Sequence, residues 1–198
     1  IVSHPFGDGG KHADAVMPIS NNIKKTIGDL YGIDWQIIES EKNVETIPLG
    51  VDSQFIMTEA AVDEWYKKSK ENDNVEVLYV GRFERRKGID LLLDVIPKIL
   101  SEHKNVTFRL VGDNSGEDEN GVSYLGEFEA KYKQKSWYKN IIFKGYVTED
   151  ELAEAYRNCD IFVAPSRYES FGQIYIEAMA SAKPVIGVNV GGIPEIVH

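Results

Sequence analysis

The stretch Ile161–Gly187, IFVAPSRYESFGQIYIEAMASAKPVIG, organises the rest of the chain. It reads as strand, loop, helix, strand. Ile161–Ala164 is a short β-prone apolar run ended by Pro165. Phe171, Ile174, Tyr175, Ala178 and Met179 recur at helical spacing, which predicts a helix over Phe171–Ala180. Ser181-Ala182-Lys183-Pro184 stops that helix, and Val185–Val188 is the next buried strand. Two carboxylates bracket the turn, Glu169 in the loop and Glu177 within the helix.

At ~1.5 Å of rise per residue, the eight positions from Glu169 to Glu177 span roughly 12 Å at most along a helix axis. The amides of Phe171, Gly172 and Gln173 fall between them, at a helix N-terminus, an end that attracts phosphate. Gly172 has no Cβ and lets a ligand approach the backbone. This suits an elongated ligand with phosphate in the middle and hydroxyls at both ends, the shape of a nucleotide sugar. Spacing alone also describes a chance pair of solvated glutamates.

Upstream, the pattern is regular. Strands at Val75–Val80, Val106–Val111, Ile141–Phe143 and Ile161–Ala164 alternate with helices at Ile89–Leu100, near Tyr124–Lys135 and at Glu149–Asn158. Such alternation implies right-handed βαβ units and a parallel sheet flanked by helices, an α/β Rossmann-like fold. Pro97 falls inside the first of these helices, where a kink is expected. Open parallel sheets bind ligands outside the carboxyl ends of their strands. Gly81-Arg82, Gly112-Asp113, Gly145-Tyr146-Val147, Pro165–Glu169 and Asn189–Gly192 all follow strands, so order and spacing collect them on one edge.

Gly81–Gly88, GRFERRKG, sets Arg82, Arg85, Arg86 and Lys87 against Glu84 in a chain of net charge −10. It could hold a diphosphate through an arginine fork and a lysine point charge, or be a solvated loop pairing with the acidic surface. Val190–Glu195 is a second glycine turn, with Pro194 in a first-turn position; it could form a backbone nest, and a tight turn explains it equally well. The loop GDNSGEDENG carries Asp113, Asp118 and Glu119, acidity of the kind solvation usually explains, and no Asp-x-Asp occurs in the chain. With Arg82 and Lys87 available for a diphosphate, no metal is expected. Thr148 and Glu151 form a capping box.

The first fifty residues read differently. Ile1–Lys11 is glycine-rich and loop-like, and His4 and His12 are isolated loop histidines. A strand is predicted at Ala15–Ile19, then Ser20 as N-cap of a helix over Asn21–Tyr31 with Ile23, Ile27, Leu30 and Tyr31 on one face. Val44–Pro48 is another strand. Thr58–Lys70 is an amphipathic helix with Ala61, Val62, Trp65 and Tyr66 as its stripe.

Over 198 residues, hydrophobic content of 42% and charged content of 27% are ordinary for a soluble globular chain. The acidic balance argues against a nucleic-acid binder, which needs a basic face. The single cysteine, Cys159, reads as a buried thiol and fits a reducing, cytoplasmic compartment. No apolar run approaches a membrane span.

Pro165–Ile186, PSRYESFGQIYIEAMASAKPVI, resembles the signature of the large retaining glycosyltransferase family 4, in which Glu, seven residues and Glu recur. The resemblance extends from about Asp14 to His198. It implies the GT-B fold, with residues 1–50 as the tail of an acceptor-side domain and residues 51–198 as a nucleotide-sugar-binding domain, a fragment truncated at both ends. It implies transfer of a sugar from a nucleoside diphosphate donor to a glycan, lipid or small-molecule acceptor, with retention at the anomeric carbon. Arg82 and Lys87 occupy the family's diphosphate-contacting positions, and Val147 its base-contacting segment. Ser170, Phe171, Gly172 and Gln173 fall in the donor-binding turn, with Glu177 on the ribose and Glu169 on the transferred sugar as the catalytic residue. Arg85 and Arg86 receive no role from the resemblance. The acidic GDNSGEDENG departs from the shorter Gly-x-Gly-Pro turn of many members. Many relatives touch the cytoplasmic leaflet through the first domain. Two other readings stand beside it: a nucleotide-sugar-binding module without catalysis, and a nucleotide-sugar epimerase, against which Arg82, Lys87 and Glu169 argue.

Overall fold

The computed structural model describes residues 15–41 and 43–197. The chain divides into two compact units. One gathers the described part of Ile1–Gly50 with Glu169–Gly172 and Asn189–His198; the other is Val51–Tyr168 with Gln173–Val188. His4 and His12 lie outside the described residues.

In the first unit, β1 (Ala15–Val16) pairs in parallel with β2 (Asn43–Val44), two short strands joined through α1 (Asn21–Tyr31) and α2 (Trp35–Glu41). Both strands are shorter than predicted. The pairing nevertheless continues irregularly: Glu45 N–H donates to Val16 O at 3.2 Å and Ile47 N–H to Pro18 O at 2.9 Å. Pro18 has no amide to return, which keeps a regular ladder from forming. Ser20 caps α1 as expected, its hydroxyl accepting from Ile23 N–H, and Gly32 ends the helix in the left-handed region. Leu30 and Tyr31, assigned to the apolar face, are exposed. The sequence reading missed α2, which starts where Asp34 Oδ1 accepts from Gln36 N–H and is anchored by Trp35 Nε1–H on Lys24 O.

The second unit opens with a 3-10 turn, Ser53–Phe55, then α3 (Glu59–Glu71), capped by the Thr58 hydroxyl. From there β3 (Val75–Val80), α4 (Ile89–Glu102), β4 (Val106–Val111), α5 (Tyr124–Tyr132) and β5 (Ile141–Gly145) follow in turn. α6 (Glu149–Asn158), β6 (Ile161–Ala164), α7 (Gln173–Ala180) and β7 (Val185–Gly187) complete it. The five strands form one parallel sheet in the order β5-β4-β3-β6-β7. The chain therefore starts at the centre, runs outward to β5, then returns to the other side of β3. That reversal is a topological switch point, the place where open α/β sheets offer a crevice at the strands' carboxyl ends.

The core follows from the strand patterns. Leu78 and Tyr79 of β3 are fully buried, and Phe83, Ile89, Ile96, Leu100, Phe108 and Phe128 pack on one face of the sheet. α4 passes through Pro97 without ending, because its buried stripe Ile89, Leu92, Leu93, Ile96 and Leu100 continues on both sides of the proline. On the other side, an aromatic chain links Phe55 to Tyr156, Tyr156 to Phe162 and Phe162 to Tyr175 at centroid distances of 5.6, 5.6 and 5.7 Å. Tyr66, placed on the α3 stripe, is exposed, whereas Trp65 faces inward under the Lys183 ammonium, 3.5 Å from the ring centroid. Burial pushes that ammonium down to about 8. Cys159 is buried, its thiol pushed up to about 12 by desolvation, as suits a structural thiol. Among the described residues, no helix is long and apolar enough to cross a membrane.

Candidate functional site

The basic segment Gly81–Gly88 leaves the central strand β3 and turns through a 3-10 turn at Arg85–Lys87 into α4. Phe83 plugs it into the core at 1% exposure, while Arg82, Arg85 and Arg86 face solvent and Lys87 is half-buried. Gly88 has φ +70°, and a Cβ there would stand 1.9 Å from Pro165 O. Only glycine permits this close pass of the loop against the segment after β6. Further bonds join the two segments. Arg167 N–H donates to Arg86 O at 2.8 Å, and the Arg167 guanidinium donates to Arg85 O at 2.6 Å. It also grips both oxygens of Asp90 at 2.6 Å, and Arg86 Nη1–H reaches Tyr168 O at 3.4 Å. The Arg167 bond holds the Asp90 carboxyl below its usual range.

Arg82 pairs with Glu84 at 2.7 Å, and Glu84 also meets Arg86 at 3.6 Å. Exposed pairs of this kind contribute about 0–1 kcal/mol, so an incoming anion can draw Arg82 away cheaply. On the other flank, Phe83 N–H donates to Asp113 O at 2.8 Å. Asp113 itself accepts from Ser115 N–H and Oγ–H and from the Tyr146 hydroxyl, the Ser115 bonds foremost in holding its carboxyl below its usual range. Asp118 accepts from Asn120 N–H and Val122 N–H and is lowered for the same kind of reason. Among the described residues, no three His, Cys, Asp or Glu side chains are disposed to hold a metal ion.

Val147, after β5, is half-buried and lines a polar cavity of about 210 Å3 with Arg109, Lys144 and Glu151. The Thr148–Glu151 capping box forms with both of its bonds. α7 begins at Gln173 rather than Phe171, a correction to the predicted span. Gly172 has φ +99°, which a continuing helix excludes, and Phe171 is buried ahead of the helix rather than in its first turn. Phe171 and Gly172 thus precede the helix, and its N-terminal amides start with Gln173. Glu177 is half-buried, and one of its oxygens accepts from the Tyr156 hydroxyl at 2.9 Å. Desolvation raises the Glu177 carboxyl, partly offset by that bond, and burial raises the Tyr156 phenol well above its usual value.

Arg82, Lys87, Val147, Gln173 and Glu177 thus belong to the sheet unit, while Glu169, Ser170, Phe171 and Gly172 belong to the other. There, Glu169 is buried at 7% exposure in a loop held from two directions. Gly192 N–H donates to Glu169 O at 2.8 Å, and the buried Ser20 hydroxyl donates to Ser170 O at 2.7 Å. Gly191 has φ +58°, and a Cβ would fall 2.2 Å from Glu169 O. The glycine turn read from sequence as a possible nest therefore packs against the Glu169 backbone. Glu195, in a 3-10 turn containing Pro194, accepts from Asn21 N–H at 2.9 Å and Asn22 N–H at 2.7 Å, placing a carboxylate on the N-terminus of α1. Asp90, Arg167, Tyr156 and Glu195 escaped the sequence reading, since their partners lie tens of positions away.

Residues 74–198 match the family described as Glycosyl transferases group 1. Mannosylfructose-phosphate synthase of Agrobacterium fabrum is 31% identical over 153 residues, 77% of this chain and 34% of the relative. The chain spans about a third of the length of the curated relatives it matches. Among solved structures, HepE of Anabaena in complex with UDP aligns with TM-score 0.71 at 22% identity, over 96% of this chain and 49% of that one. The C-terminal domain of the group 1 glycosyl transferase LpcC from Francisella tularensis aligns with TM-score 0.59 at 30% identity, over 75% of each chain.

Proposed function

Because this chain belongs to the Glycosyl transferases group 1 family, with the GT-B type of α/β fold, we propose that the whole protein is a retaining hexosyltransferase of family 4. It moves a sugar from a nucleoside diphosphate sugar to a glycan, lipid or small-molecule acceptor. Residues 51–198 supply the donor side, and residues 1–50 close an acceptor-side domain through which the cytoplasmic protein reaches its acceptor, with peripheral contact at the membrane.

One observation carries this reading: the basic loop leaves the central strand at the switch point of a parallel sheet and is fixed to the segment after β6 by the Arg167 amide on Arg86 O and the Arg167 guanidinium on Arg85 O. A diphosphate bound there receives the Arg82 fork, the Lys87 ammonium and the N-terminal amides of α7, which stabilise the charge growing on the leaving group as the glycosidic bond breaks. These cations do without a metal the neutralisation that the leaving diphosphate requires. Val147 main-chain groups read the base edge. Glu177 takes ribose hydroxyls, with its Oε2 held by the Tyr156 hydroxyl. Glu169 takes hydroxyls of the transferred sugar and favours oxocarbenium character, with Ser170, Phe171 and Gly172 forming the turn beside it. Solved relatives bound to UDP and UDP-glucose support the ligand class.

The test is calorimetric titration of the protein with UDP, GDP and ADP, repeated on Arg82→Ala and Glu177→Ala. Selective binding of one nucleotide, weakened in both variants, is the expected result. Absence of binding to all three by folded protein would overturn the donor-site reading.

A further inference from the structure

We propose that Arg167 and Asp90 form a clamp that positions the diphosphate-holding loop, making Arg167 a positioning residue for donor binding; this rests on the donor site proposed above. Four bonds leave Arg167 toward the basic segment and its helix: the backbone amide to Arg86 O, the guanidinium to Arg85 O, and two to the Asp90 carboxylate. Asp90 sits in the first turn of α4, the helix that begins as the basic loop ends. The pair therefore ties together the two segments that leave β3 and β6 on either side of the switch point, at their carboxyl ends.

The charges explain why an arginine is needed. Arg85 and Arg86 turn their side chains to solvent, while their carbonyls accept from Arg167. Those carbonyls sit in a run of cations that repel one another, with Glu84 as the acid inside the loop. The Arg167 fork satisfies a carbonyl and a carboxylate at once, a geometry that the single ammonium of lysine cannot reproduce. Arg167 carries two-thirds of its side chain out of solvent, and Asp90 slightly more. With the clamp closed, the carbonyls of Arg85 and Arg86 are fixed and the interval from Arg82 to Lys87 has one shape. With it open, the loop must be ordered by the ligand at the moment of binding, and affinity for phosphate falls.

An ion pair that merely stabilises the fold would not distinguish a phosphate-bearing ligand from its nucleoside. The experiment is titration of the whole protein with whichever of UDP, GDP or ADP the wild type binds, and with the parent nucleoside by ligand-detected NMR. It is run on wild type, Arg167→Met, Asp90→Asn and the double variant, each with its melting temperature recorded. Arg167→Met is expected to weaken the diphosphate roughly tenfold and leave the nucleoside within about twofold. Asp90→Asn weakens the diphosphate in the same sense, and the double variant adds little to Arg167→Met, since the two residues act as one unit. Equal weakening of nucleotide and nucleoside, or an unchanged diphosphate affinity in Arg167→Met while Arg82→Ala weakens it, overturns the clamp. A wild type that binds none of the three nucleotides overturns the donor site itself.

Discussion

Two loops leave neighbouring parallel strands at the same edge of the sheet and use charge in opposite ways. Gly81–Gly88 after β3 is basic and is held by contacts from outside itself: Pro165 against Gly88, Arg167 on the carbonyls of Arg85 and Arg86, Asp113 O on the Phe83 amide. Gly112–Gly121 after β4 is acidic and its carboxylates build its turns, Asp113 and Asp118 accepting from amides and the Ser115 hydroxyl two to four residues ahead, and Asp113 also from the Tyr146 hydroxyl. In the first loop charged side chains pair with one another, Arg82 and Arg86 with Glu84; in the second the carboxylates accept from the amides of the turn itself. Charge density in the sequence does not separate these cases. What separates them is whether the charged side chains bond the loop's own backbone amides.

The largest effect should come from forcing a side chain into the externally held loop. Gly88→Val places a β-branched residue at φ +70° and drives its Cβ into Pro165 O, so urea unfolding should show a loss of roughly 2–4 kcal/mol and nucleotide binding should fail. Gly121→Ala also sits at a positive φ, +76°, but its nearest neighbour is a Glu117 side-chain oxygen at 3.8 Å. It should cost only about 1 kcal/mol of backbone strain and spare binding. Similar losses from both variants would erase the distinction between the loops.

Removing charge comes next. Arg82→Ala should weaken the bound nucleotide by roughly 10- to 100-fold, the cost of one charge-assisted contact. Asp118→Ala, which loses only bonds to its own turn, should leave affinity within about twofold. An acidic-loop variant that weakens binding as much as Arg82→Ala would show that this loop also touches the ligand.

The smallest effect is in pH. Arg167 lowers the Asp90 carboxyl in the folded state, so the stability it contributes is fully present above the ordinary value of 3.8 and is lost as pH falls through the lower folded value. Asp113 and Asp118 are lowered by their own turn bonds and lose stability in the same direction. The contrast with Arg167→Met isolates the clamp: melting temperatures from pH 5 down to pH 2 should fall less steeply in the variant. Parallel curves would mean that the Asp90 bond contributes nothing measurable.

Local chemistry was legible in the sequence, and distant chemistry was not. The alternation of apolar runs with helical spacing gave β3 to β6 and the parallel sheet, since each element buries one face against the next. β7, expected as a buried strand over Val185–Val188, instead ends at Gly187 on the sheet edge with Ile186 exposed. Thr148 and Glu151 capped α6 as their spacing implied, and Cys159 proved buried. The start of α7 was misread because Phe171 fits the helical stripe yet is buried ahead of it, and Gly172 takes a positive φ. α2 was missed because its anchor, Trp35 on Lys24 O, is a tertiary bond. Arg167 to Asp90 and Glu195 to Asn21 span 77 and 174 positions, distances across which no local pattern pairs residues.

The most direct test is a crystal structure of the protein with the nucleoside diphosphate it binds. The diphosphate oxygens should lie roughly 2.7–3.2 Å from the Arg82 guanidinium and the Lys87 ammonium, with Arg82 withdrawn from Glu84. A diphosphate seated elsewhere, with the Arg82–Glu84 pair intact, would contradict the assignment of this loop as the place where the donor is held.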